Sequence, residues 1–167
     1  AEQEHTLAYS RKGLPSKYGS RSIFMSFEAA GQSRILTCRW KDLEIYIRLE
    51  RQNPDSLVIN LPFDEYAHAF YYNHKINCMT AEGYVRTHKK EWSFEKEDSF
   101  GILDWGRGVW PFHNEWYWSN GSGYLEGEMF GFNLGCGFGN TDTASENMLF
   151  YKGKSHKLGK VDFILGK

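Results

Sequence analysis

The segment Asp104-Trp105-Gly106-Arg107-Gly108-Val109-Trp110-Pro111-Phe112-His113-Asn114-Glu115-Trp116-Tyr117-Trp118-Ser119-Asn120-Gly121-Ser122-Gly123 decides how the rest of the chain reads. It holds four of the six tryptophans in 167 residues, together with an Asp, an Arg, a His and a Glu. No simple amphipathic strand or helix needs that mixture. Tryptophan brings a large apolar face with one N–H donor. Glycine lets the backbone turn sharply or approach a neighbour closely. Pro111 fixes its own φ and pushes Trp110 toward extended geometry. The spacing predicts a strand over 101–105, a shaped loop over 106–114 and a second strand over 115–119.

Outward from this segment, the chain alternates in short runs. Over 43–50, Leu43, Ile45, Ile47 and Leu49 share one face, while Glu44, Tyr46, Arg48 and Glu50 share the other, the mark of a strand with one wet side. Further strands are expected over 23–27, 34–40, 57–61 (closed by Pro62), 66–78, 84–88, 90–94, 129–138, 146–151, 155–158 and 161–165. Ala81-Glu82-Gly83 reads as a turn. Residues 1–21 are polar and basic, with a Gly-Leu-Pro-Ser breaker, and read as an arm. Residues 22–167 read as one β-barrel-like domain. No stretch sustains a helical period, so the chain is expected to be all-β: an antiparallel meander forming a barrel, a sandwich or part of one.

Bulk composition narrows the function classes. The hydrophobic fraction is 41% and the aromatic fraction 17%, enough for a packed core. A net charge of −1 gives no global field to steer nucleic acid. The charge is uneven: seven acids face one base, Arg107, between Asp98 and Phe150. Cys38, Cys78 and Cys136 form no close pair, which points away from a disulfide framework and toward a reducing, cytoplasmic setting. No apolar run approaches the length of a membrane-spanning helix.

Several residues are candidates for chemistry. His68 and His74 share a strand face but stand roughly 20 Å apart, too far to chelate one ion. Ser122 lacks the surroundings of a nucleophile elbow and reads as a turn serine. Asp104, among Ile102, Leu103 and Trp105, is either a proton donor or the partner of Arg107, and the ion pair is the expected arrangement. Glu146 and Asn147 cap a loop or face a cavity. Asn73, Lys75 and Asn77 form a polar row at period two, either a solvent face or the lining of a barrel interior. Over 129–138 one face is nearly bare: Gly131, Asn133, Gly135 and Gly137. Aromatic rings such as Trp116 and Trp118 are expected to cover it, with a ligand as the alternative.

These residues also carry a resemblance. Asp104 to Pro111, Trp116-Tyr117-Trp118, Gly131-Phe132-Asn133-Leu134-Gly135, Glu146-Asn147 and Gly153-Lys154-Ser155-His156-Lys157-Leu158 resemble a bacterial domain family of unknown function with a D-[FW]-G-R-G-x-W-P signature. The Lys75-x-Asn77 pair and Gly83 fit the same pattern, so the likeness runs from roughly residue 34 to the end. Cys136-Gly137-Phe138 departs from the more polar run expected there. The family is distantly similar to lipocalin-like proteins that include carotenoid hydratases. The resemblance implies an antiparallel barrel, of which this chain matches the middle part, and brings no established reaction.

Three functional readings follow. The first is a binding module that holds an apolar or amphipathic small molecule in an aromatic-lined cavity. Trp105, Trp110, Trp116 and Trp118 would supply walls, and Lys75, Asn77, Arg107 or Asn133 would fix a polar head. The second is a hydratase- or isomerase-type enzyme acting on an unsaturated lipophilic substrate, with Asp104 or Glu146 as proton donor. The third is a structural role in which the signature only closes the barrel. None calls for a cofactor, a metal or a nucleic acid partner. An open sheet edge would invite self-association.

Overall fold

The computed structural model describes residues 16–142 and 144–166. Twelve strands are present among them: β1 (Ser16–Gly19), β2 (Ile23–Ala30), β3 (Ser33–Trp40), β4 (Leu43–Arg51), β5 (Leu57–Pro62), β6 (Phe70–Arg86), β7 (Glu91–Phe94), β8 (Phe100–Val109), β9 (Tyr117–Leu125), β10 (Glu128–Cys136), β11 (Met148–Tyr151) and β12 (Lys154–Lys157). No described residue is helical. The fold is all-β, with one sheet of eight strands and one of four, and neither closes into a barrel. Of the expected N-terminal arm, 1–15 lie outside the described residues, and Ser16–Gly19 pair with β2.

The chain divides into two compact units. Of the described residues, one comprises 16–51 and 80–100. In it β1 to β4 form a meander, each strand pairing with the next. Burial along β4 follows the period-two pattern only in part: Leu49 is buried and Tyr46 and Glu50 are exposed, while Glu44 and Arg48 are half-buried like Leu43, Ile45 and Ile47. The turn expected at 81–83 is absent, because β6 runs unbroken through it. Gly83 (φ 140°) serves close approach instead: a Cβ there would collide with the Tyr46 carbonyl.

The other unit comprises the described residues of 52–79 and 101–166. Here β5 pairs antiparallel with the first part of β6, from Leu57↔Lys75 to Pro62↔Phe70. β5 alternates cleanly, with Leu57, Ile59 and Leu61 buried as the core, and Tyr71 and Met148 pack against them. β8 pairs with β6, and β12-β11-β10-β9 form the second sheet. The two sheets meet through polar contacts. Asn77 donates to the Phe132 carbonyl at 3.0 Å, and the Cys78 amide donates to Ser122 Oγ at 3.1 Å. Cys78 has φ 57°, rare for a residue with a side chain, and its N–H turns to a hydroxyl on β9 for a partner.

Several expected boundaries move, each for a local reason. β8 does not end at Trp105 but continues through Gly106-Arg107-Gly108 to Val109. Both glycines let β8 lie against β6: a Cβ at Gly108 would collide with the Phe70 carbonyl, and one at Gly106 would stand 3.0 Å from Asn73 Nδ2. Asn120-Gly121-Ser122-Gly123 is strand rather than turn, paired with β10 throughout. β6 begins at Phe70 because hydrogen-bonded turns occupy the preceding residues. β10 stops at Cys136, before Gly137 (φ 91°) and Gly139 (φ 75°) turn the chain. Residues 161–165 form no strand; Phe163 is held by stacking on Tyr117 at 5.9 Å.

Candidate functional site

The polar row of β6 is interior lining. Asn73, Lys75 and Asn77 are all buried. Alternation on β6 turns them to the same side, and β8, β10 and the segment before β11 bring carboxylates and amides to meet them. The Lys75 ammonium lies 2.6 Å from Asp104 Oδ2 and 3.0 Å from Glu146 Oε2. The Lys75 and Glu146 side chains are only 4% and 9% exposed, while that of Asp104 is 33% exposed. The ammonium also sits over the Trp118 ring, 4.9 Å from its centroid.

A shell of amides holds this triad. Asn73 Nδ2 donates to Asp104 Oδ1 at 2.6 Å. Asn133 Nδ2 donates to the Glu146 carbonyl at 2.8 Å and to its Oε2 at 3.2 Å, while Asn133 Oδ1 accepts from Trp118 Nε1 at 2.9 Å. Asn147 fixes the segment that carries Glu146. Its Oδ1 accepts from the Gly135 amide at 2.7 Å, and its Nδ2 donates to the Gly159 carbonyl at 2.9 Å. Lys157 Nζ donates to the Asn147 carbonyl, and partial burial pushes that ammonium below its usual range.

Two expectations about these residues are corrected. Asp104 does not pair with Arg107; Asn73 and Lys75 are its partners, and Arg107 is exposed with no ion pair among the described residues. Since β8 stays extended through Gly106, residues three apart point to opposite faces. Nor do aromatic rings cover the glycine face of β10. A Cβ at Gly135 would collide with the Glu146 carboxylate, one at Gly131 with Cys78 Sγ, and one at Gly137 would meet the backbone of Glu115. The bare face admits a charged side chain and a buried thiol, and burial pushes that thiol's pKa up.

Above the triad opens a cavity of about 200 Å³, lined by Lys75, Asp104, Glu146 and the rings of Tyr71, Trp116, Trp118 and Phe138. Phe138 gathers the rings. It meets Tyr71 edge-on at 4.5 Å, Trp116 at 5.0 Å and Trp110 at 5.8 Å. The Tyr71 phenol is pushed well above its usual pKa, first by burial and then by the charges of Asp104 and Glu146, so it stays protonated at neutral pH. A second cavity, of about 250 Å³, is lined by Phe63, Asp64, Tyr66, His113 and Asn114 among others.

The model of a protein family described as "Domain of unknown function (DUF2804)" matches residues 3–167. The chain belongs to that family. Comparison with curated proteins and with solved structures gives no match.

In this member of the family, five of the residues singled out from the sequence line one cavity: Lys75, Asp104, Trp116, Trp118 and Glu146. Asn133 lies beneath them as their hydrogen-bonding support. The others stand apart from that cavity. Asn77 is engaged by the Phe132 carbonyl, Trp105 packs edge-on to Tyr72, Trp110 packs against Tyr71 and Phe138, and Arg107 is exposed. Sequence reasoning placed Asn73 in the polar row but missed Tyr71 and Phe138 as members of the site. The period-two row of β6 carried a signal for Tyr71, because it simply continues the row of Asn73 and Lys75. Alternation along β10 carried none for Phe138, because the turn from Gly137 to Gly139 breaks it.

Proposed function

We propose that the chain binds an amphipathic small molecule in the cavity above Lys75, Asp104 and Glu146. One observation carries this reading. Four rings and a lysine bridging two carboxylates converge on a single opening of about 200 Å³. Rings suit the apolar part of a ligand, and the charged cluster suits its polar part.

The enzyme reading, with Asp104 or Glu146 as proton donor, gains less support. Both Asp104 oxygens already accept hydrogen bonds, from Asn73 and Lys75, and Glu146 Oε2 accepts from Lys75 and Asn133. These donors hold both side chains in place as acceptors. Tyr71 is the neutral O–H donor of the cavity and would serve to orient a ligand oxygen.

The open sheets agree with one part of a lipocalin-like barrel, the architecture that the resemblance implies. Among the described residues β9 and β12 are the outer strands of the four-stranded sheet, which supports pairing with a second copy, and light scattering tests it. No described helix is long and apolar enough to cross a membrane. Native mass spectrometry of protein purified from its own host tests the binding reading. A co-purified small molecule that is lost in Trp116→Ala supports it. A bare mass from the host protein, together with no binding in a screen of small ring-bearing compounds, would end it.

A further inference from the structure

Building on that binding reading, we infer that the cavity's ligand is a small organic cation with an alkylated ammonium group. Charge is the first argument. Lys75 supplies one positive charge to the site, and Asp104 and Glu146 supply two negative ones. The cluster is therefore one positive charge short, in partly enclosed surroundings where an uncompensated charge is unfavourable. Arg107, the one base between Asp98 and Phe150, is exposed and offers no compensation. An anion would deepen the imbalance, a neutral ligand would leave it, and a cation removes it.

Hydrogen-bond accounting is the second argument. Three of the four carboxylate oxygens already accept from Asn73, Lys75 or Asn133. A primary ammonium or a guanidinium would bring several N–H donors that need acceptors. An alkylated ammonium has no such demand, spreads its charge over methyl groups and binds against ring faces. The rest of the cavity's lining is aromatic, from Tyr71, Trp116 and Phe138, with Trp118 beside them. Trp118 already faces one ammonium, that of Lys75, so this corner of the molecule is built to sit against positive charge. The cavity, at about 200 Å³, lies below the usual range for drug-sized ligands, about 300–1,000 Å³. It fits a single head group rather than a long hydrocarbon chain.

Choline and 3,3-dimethylbutan-1-ol provide the test, because they share a shape and differ by one nitrogen and its charge. Each is titrated into the full chain while the indole N–H signals of Trp116 and Trp118 are followed by NMR. Choline is expected to shift both signals to saturation and to bind at least about tenfold tighter than the alcohol. Trp116→Ala, at a half-exposed ring, should weaken choline by about tenfold, and Asp104→Asn should erase most of its advantage over the alcohol. Equal affinity for the two compounds would overturn the cation inference while leaving the small-molecule reading intact. No shift with either compound at millimolar concentration would also overturn it, and the mass of the host-purified protein then decides the broader reading independently.

Discussion

Replacing Lys75 by Met keeps most of the aliphatic stem and removes the charge that two carboxylates share. The cost follows from the burial of each partner. Lys75 and Glu146 are 4% and 9% exposed, so Glu146 would be left as an unpaired buried carboxylate. Removing one partner of such a pair costs about 3–5 kcal/mol. Asp104 is 33% exposed and keeps Asn73, so solvent screens much of its loss and the lower end applies, about 3 kcal/mol in all. For a chain of this size that lowers Tm by about 6–12 °C. Urea denaturation followed by tryptophan fluorescence measures it. Adding Glu146→Gln should recover at least half of the loss, because the stranded charge is then gone. Arg107→Met, at an exposed residue without an ion pair, should stay within about 0.5 kcal/mol of the parent. A Lys75→Met protein that melts with the parent, or an Arg107→Met protein that loses as much, would refute the assignment of the pair.

Three further outcomes are expected. Gly108→Ala should destabilise by about 3 kcal/mol because its Cβ meets the Phe70 backbone, whereas Gly135→Ala, which meets a side chain, should cost about 1–2 kcal/mol; equal melting curves would contradict this ranking. Ser122→Ala strands the buried Cys78 amide at a cost of about 1–3 kcal/mol, and hydrogen exchange at that amide should quicken while the amides of β5 keep their protection. The raised pKa of Tyr71 means that the unfolded chain releases its phenolic proton first, so stability is complete below about pH 10 and falls as pH rises beyond it. Ultraviolet titration should show one tyrosine ionising well above the rest, and that step should vanish in Tyr71→Phe.

How much of the fold was legible in the sequence depends on what period two can carry. Alternation names a face, and it did so well for β5, where Leu57, Ile59 and Leu61 are buried and Val58 and Asn60 are exposed. It also grouped Asn73, Lys75 and Asn77 on one side of their strand, and all three are buried. Glycine misled the reading of boundaries, because it has two uses with one appearance. Gly83, Gly106 and Gly108 looked like turn residues, yet each lies inside a strand close to its neighbour: a Cβ would collide with backbone at Gly83 and Gly108 and would be tightly placed at Gly106. Gly137 looked like a strand residue, yet the positive φ there and at Gly139 ends β10.

The partners within the site were not legible, and the reason is geometric. Arg107 is the base nearest to Asp104 in sequence, and on a tight loop it would be the natural counter-charge. On an extended strand it faces away, and the counter-charge comes from Lys75, 29 residues earlier on the neighbouring strand. Glu146 reaches the same ammonium only because Asn147, the next residue, is tied to both Gly135 and Gly159. Strand pairing thus selects which charges meet, while alternation sets only which side they take. Gly135 joins the two levels: its missing side chain read as a gap awaiting a ring, and the space is taken by the carboxylate that completes the Lys75 cluster. The position most tolerant of local conformation is therefore among those that the site's electrostatics constrain most.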